Sequence, residues 1–361
     1  MSSSPSDLLI NADGNITATS FWLLLALPLF YSGKWGWACL SLFLAFGFSV
    51  CQAMDSLAKE DRSDIRFNVI HAHDVVVEMK EHIDDPIILQ SALQALARKV
   101  NKQNKNKSQD YDESELELYS LQAAQIVLNQ SPDSDMLIAS VLSLLALIAK
   151  NPIVRQQMLR NDCLRSALEA MRDSLARAQE QDDSTPSQVQ QLSAELVRKG
   201  CLWLGALADD SETLATHVVT LGGLEVILQC LDWYRYHEDV NNWGLWALFQ
   251  LCFGNSHNQS ALVQSGGLRI ICQSLKCNAA DSMEVCRHGI AVLFDTLRHE
   301  NEDDLLKIAQ LRRLAVTAGL HQAVQHCMEL HSDSMEVIGM GTELLLSTGF
   351  QGDIPTYQPM E

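Results

Sequence analysis

The chain has 361 residues, of which 47% are hydrophobic and 6% aromatic, and carries a net charge of −19. That apolar content is enough for a buried core, and a low proline count of 8 lets helices run uninterrupted. Asp7, Asp13 and Lys34 are the only charged residues before Asp55, so the acidity belongs to the remainder of the chain. A body this acidic argues against nucleic acid as a partner and would repel anionic lipid, whereas a basic protein surface or segment complements it. The 10 cysteines stand singly with no CxxC pair, as small hydrophobes of a reduced protein do.

In chain order, residues 1–20 are polar and read as a disordered N-terminus. Residues 21–54 hold two apolar runs, FWLLLALPLFY (21–31) and WGWACLSLFLAFGFSV (35–50), joined through Lys34. A single helix from Phe21 to Val50 would be about 45 Å long, longer than the bilayer core of about 30 Å. Either the second run spans alone, with Trp35 and Trp37 at the interface, or Pro28 and Gly33 break the segment into a hairpin. Lys59, Arg62 and Arg66 follow the run and no basic residue precedes Lys34, which places the rest of the chain in the cytosol. Sequons at Asn15, Asn106, Asn129 and Asn258 matter only if the body is lumenal.

Residues 65–100, ending SALQALARKV, read as a degenerate first helical repeat. A polar linker follows at 101–115, its charge switching from basic to acidic. From 116 to 350 the sequence repeats itself. DSMEV occurs at 281–285 and 333–337, and each copy follows a glycine-led helix, GGLRIICQSL (266–275) and AGLHQAVQHC (318–327). Both markers are offset by 52 residues, and GGLEVILQCL (222–231) lies 44 residues upstream of GGLRIICQSL. Each such helix is followed about twenty residues on by a second one with a small residue as register mark: Ser140, Gly244, Gly289 and Gly341. Gly200 is the same mark, delayed by a polar insertion at 177–191. A period in the forties with two or three helices per unit is the pattern of an α-solenoid. Five clear units and the degenerate one are expected, closed by a disordered tail at 351–361.

GLWALFQLC (244–252), GCLWLGALA (200–208), NQSALVQSGG (258–267) and the Gly-Gly-Leu helices resemble armadillo repeats. The resemblance covers about 112–350 and implies an all-α, right-handed superhelix whose third helices line a concave groove. It also implies a non-enzymatic protein-interaction function with no cofactor. The family's ladder of groove tryptophan and asparagine survives here only as Trp246 and Gln250, with Trp243 one turn earlier; Trp203 is assigned to the core. At the asparagine position the other units carry Ala146, Ala206, Asp295 and Ser347. A second column stands five residues before each register mark: Asp135, Glu195, Asp239, Glu284 and Glu336. These acids either complement the positive ends of their helices or form an acidic stripe for a basic partner. Asp295 and His288, next to Gly289, complete the candidate groove. No metal or catalytic motif accompanies them: His71 and His73 fall on different faces of a helix, and no GxSxG, HExxH or phosphate-loop pattern occurs.

The expectation is a membrane-anchored scaffold facing the cytosol from the endoplasmic reticulum or the mitochondrial outer membrane, with its oligomeric state open. The resemblance also admits an armadillo-like nucleotide-exchange cofactor of a seventy-kilodalton chaperone, which would place the body in the secretory-pathway lumen, or a structural subunit of a membrane complex.

Overall fold

The computed structural model describes residues 67–105, 114–131, 133–160, 162–180, 188–298 and 305–359. The chain divides into two compact units at Val69/Ile70. In the first unit only residues 67–69 are described, as helix, so the apolar segment 21–54 lies outside the described residues. The second unit is helical, with no strand among its described residues.

Its helices are α1 (Ala72–Glu81), α2 (Pro86–Lys105), α3 (Ser114–Gln130), α4 (Asp135–Ile148), α5 (Pro152–Arg160), α6 (Cys163–Gln179), α7 (Gln188–Ala208), α8 (Glu212–Thr220), α9 (Gly223–Trp233), α10 (Glu238–Cys252), α11 (Ser256–Gln264), α12 (Gly267–Asn278), α13 (Met283–Leu297), α14 (Leu305–Thr317), α15 (Leu320–Leu330) and α16 (Met335–Ser347). From α5 onward they fall into threes, and in the first three of these trios a short helix of 9 residues precedes two longer ones. Equivalent helices touch in succession. The last helices of the units, α2, α4, α7, α10, α13 and α16, each pack on the next, and so do the middle helices α1, α3, α6, α9, α12 and α15.

Local chemistry explains why the chain breaks where it does. At the junction of short and middle helix, Gly222, Gly266 and Gly319 take φ of 84°, 74° and 93°, a left-handed conformation that favours glycine. The second glycine of each Gly-Gly pair has a different duty. A Cβ on Gly223 or Gly267 would lie 2.9 or 2.8 Å from the carbonyl oxygen of Val218 or Leu262, so the backbones meet where a side chain cannot fit. Three of the last helices, α10, α13 and α16, start on side-chain caps: His237 Nδ1 accepts from Val240 N, Ser282 Oγ from Val285 N, and Ser334 Oγ from Val337 N.

The register marks are contact points. A Cβ on Gly200, Gly244, Gly289 or Gly341 would fall 2.4–2.6 Å from Met171, Leu231, Leu275 or Met328, each on the middle helix of the same unit. This close approach is the physical basis of the twenty-residue spacing. Polar bonds pin neighbouring repeats together: Ser274 Oγ donates to Asn241 Oδ1 (2.6 Å) and Asn278 Nδ2 to Arg235 O (2.8 Å), while Asn241 Nδ2 is held within its own repeat by Tyr234 O (2.7 Å).

Three expectations change. The insertion at 177–191 is helical at both its ends: α6 runs to Gln179 and α7 begins at Gln188, because Ala, Arg and Gln extend helices readily. The linker at 101–115 begins later than its polarity suggests, since α2 continues to Lys105. Residues 106–113 and 181–187 lie outside the described residues. The expected disordered tail instead turns back over the last unit: Phe350 N donates to Leu345 O and Gln358 N to Ser332 O (2.8 Å).

No single helix among the described residues is long and apolar enough to cross a membrane; α8 and α9 pass only together, across a 71° bend. All eight described cysteines are free, and seven are buried, with burial pushing thiols such as Cys201 and Cys252 up to about 12. Asn258 is fully buried and donates to Leu251 O, so a folded chain offers no glycan site there, whereas Asn129 is exposed.

Candidate functional site

The row of last helices carries the cavities that matter. One of about 740 Å³ is bounded by Asn101 of α2, Ser143 of α4, Lys199 and Leu202 of α7, the Asp209-Asp210 turn and Trp246 of α10. Another, of about 520 Å³, lies between Trp246 and Phe249 of α10, Arg287 and His288 of α13, and Met335, Gly339 and Met340 of α16. Trp246 therefore forms a wall of both.

The indole is held in that position from below and beside. Gly205 of α7 leaves room for it, since a Cβ there would sit 2.3 Å from the six-membered ring. Trp243 meets it edge to face, with ring centres 5.7 Å apart at 88°. Both tryptophans are half-buried. Gln250, one turn on, donates to Asp209 Oδ1 (3.2 Å) across the boundary with α7. Leu245, Leu248 and Cys252 on the opposite side of α10 are buried, and Trp203 of α7 is wholly so. The helical spacing of the α10 aromatics and the assignment of Trp203 to the core agree with this placement.

The acidic column separates into two parts. Asp135 is only 9% exposed and accepts from Arg177 of α6 (2.5 Å). Glu195 takes a two-pronged bond from Arg198 (2.7 and 2.8 Å) and has Lys199 at 3.7 Å; Arg198 holds its carboxyl below the ordinary range. Burial and pairing thus occupy the first two acids. Toward the C-terminus the balance changes. Asp239 is exposed. Glu284 and Glu336 share one cation, Arg287, at 2.6 and 3.8 Å. Asp135, Asp239, Glu284 and Glu336 stand in first turns, where carboxylates complement the helix dipole, but Glu195 lies two turns inside α7. Arg177, which answers Asp135, comes from a different helix, so the sequence column does not show it.

Asp295 leaves the candidate groove. Its Oδ2 accepts from Gly254 N (3.1 Å) and Gln259 Nε2 (2.8 Å), so it clamps the turn between α10 and α11. Its place at the ladder position falls near the end of α13, where the neighbouring unit's turn supplies unsatisfied donors.

His288 Nδ1 donates to Asn242 Oδ1 (3.0 Å) and its Nε2 accepts from Arg287 (3.1 Å), a pattern only the neutral ring can make. Burial and then Arg287 lower its pKa from the usual 6.5, against an opposing pull from Glu284 and Asn242. The unfolded chain, with the ordinary value, binds the proton first on acidification. Its stabilising share is full above about pH 6.5 and is lost progressively below it, as pH falls toward the lowered value of the folded chain. Unfolding midpoints measured at pH 7.5 and 5.5 are expected to fall further for the native chain than for His288→Asn.

No family model matches the chain, and no curated protein matches it. Among solved structures, an engineered protein determined in crystal form by the Northeast Structural Genomics Consortium is similar, with a TM-score of 0.56 and 16% identity over 78% of this chain and 100% of that one. At that identity the likeness is one of fold alone.

Proposed function

We infer that the chain is a non-enzymatic, membrane-anchored interaction scaffold. Its repeat body, read as an armadillo-like right-handed superhelix, docks a partner protein along the row of last helices. The observation that carries this reading is Trp246, half-buried, braced edge to face by Trp243 and standing between two cavities on that row. Rigid aromatics beside a cavity are frequent energetic centres of protein interfaces, because they bury much area at small entropic cost. A packed core does not need them there. The successive contacts of equivalent helices and the Gly-Gly-Leu resemblance support the superhelical reading.

The partner carries a basic segment, complementing Asp239 and Glu336, since Asp135, Glu195 and Glu284 are bonded to arginines within the chain. Residues 21–54 tether the body to the endoplasmic reticulum or mitochondrial outer membrane, raising the partner's effective concentration at the cytosolic surface.

Proximity labelling from the C-terminus of the full chain tests this, run beside Trp243→Ala/Trp246→Ala and combined with protease digestion of membrane fractions. The native chain is expected to label cytosolic proteins that the double variant loses, while both remain in the membrane fraction. An unchanged set of neighbours overturns the docking face, and a body shielded until detergent is added overturns the cytosolic orientation.

A further inference from the structure

Two of the last helices pair a carboxylate with an arginine three residues on: Glu195 with Arg198 and Glu284 with Arg287. In α16 the same spacing gives Glu336 and then Gly339. A glycine inside a helix weakens it relative to alanine, so its presence calls for a reason. Packing is not the reason, because nothing lies within 4 Å of where its Cβ would stand. Gly341, two residues on, shows the contrast, with Met328 2.6 Å from the same point.

The space above Gly339 belongs to the cavity of about 520 Å³, whose apolar lining comes from Trp246, Phe249, Met335 and Met340. Met335 is 70% exposed. The carboxylate of the lining is Glu336, 3.8 Å from Arg287, which is itself bonded to Glu284 of α13. Beyond the lining, the exposed Glu343 follows Glu336 and Met340 at helical spacing on one face of α16 and adds a second carboxylate, with no ion pair among the described residues.

We propose that this cavity is an anchor pocket for a basic segment of a partner protein. One large apolar side chain of the segment enters over Gly339 between Trp246 and Met340, and flanking lysines or arginines pair with Glu336 and Glu343. The apolar floor supplies the binding energy, and the carboxylates select the sign of the flanking charge. The pocket rests on the docking face proposed above and narrows it to one end of the row.

Gly339→Arg tests the pocket with an unusual sign. It places at this position the arginine that α7 and α13 carry, within reach of Glu336, and removes a mid-helix glycine, so the melting temperature is expected to hold or rise while the space is filled. A random dodecapeptide display library panned on the full chain supplies the probe. Native protein is expected to enrich peptides with a large apolar residue flanked by Lys or Arg, and Gly339→Arg to bind those peptides at least tenfold more weakly. Glu336→Gln/Glu343→Gln, which alters only exposed side chains, is expected to weaken them tenfold as well and provides a second readout if the arginine disturbs α16. Enriched peptides that are acidic or lack an apolar residue overturn the pocket. Peptides that bind Gly339→Arg undiminished but lose Trp243→Ala/Trp246→Ala overturn the pocket and keep the docking face. Peptides indifferent to every variant, or no enrichment above background, overturn both.

Discussion

Trp203→Ala is expected to destabilise the repeat body by about 3–5 kcal/mol, read as a lowered midpoint in urea or thermal unfolding. Trp203 has no exposed surface, and its helix α7 packs against both α4 and α10, so truncation leaves a cavity that three helices would have to close. Trp243→Ala is the informative comparison. Its ring is half-buried and solvent already reaches it, so much less transfer free energy and little cavity are at stake. A midpoint shift for Trp243→Ala as large as that for Trp203→Ala would show that the α10 aromatics are core, and would remove the main support for a docking face.

Gly205→Ala carries the second large effect, and its sign depends on the residue across from it. A methyl at 205 would stand 2.3 Å from the Trp246 ring, a distance no pair of atoms tolerates. Overpacking of this kind costs about 1–3 kcal/mol, more than the gain of about 1 kcal/mol from replacing a helix glycine by alanine. The native chain is therefore expected to lose stability and to show a changed indole emission as Trp246 is pushed outward. With Trp246→Ala already present the obstruction is gone, and the same Gly205→Ala is expected to stabilise by about 0.5–1 kcal/mol. A double-mutant cycle from urea unfolding of the four proteins measures the coupling. Additive effects would mean that Trp246 does not rest on Gly205, and the shared wall between the two cavities would lose its support.

Much of the architecture was legible because repetition exposes constraint. The Gly-Gly-Leu openings and the small residue about twenty positions later recur with nearly fixed spacing, and each answers a local demand: a left-handed φ, a backbone meeting a backbone, or a helix crossing with no room for a side chain. Such demands act on the residue itself and leave a trace in the amino-acid order. The amphipathic placement of Trp243, Trp246 and Gln250 against Leu245 and Leu248 was readable for the same reason, since helix periodicity is a local property.

The candidate site was legible only in outline. Five acids in one register looked equivalent, yet Arg177 from α6 takes Asp135 into the interior, Arg198 and Lys199 occupy Glu195, and one arginine is left between Glu284 and Glu336. Asp295 occupied a ladder position by number and serves the neighbouring turn in fact. Gly339 carried no signal, because a glycine that makes room for a missing side chain is indistinguishable in sequence from one that packs.

By its order alone, the chain determined that it is helical, where its units begin, which face of each helix is apolar, and that residues 21–54 are apolar enough to concern a membrane. Tertiary structure alone decided which charges remain unanswered, that Trp246 stands between two cavities, and where space is left open. The physical reason is the range of the forces involved. Turn conformation, helix periodicity and pairs such as Glu195–Arg198 act within a few residues, whereas the Asp135–Arg177 and Glu336–Arg287 pairs and the emptiness of a cavity depend on side chains brought together from forty or more positions away.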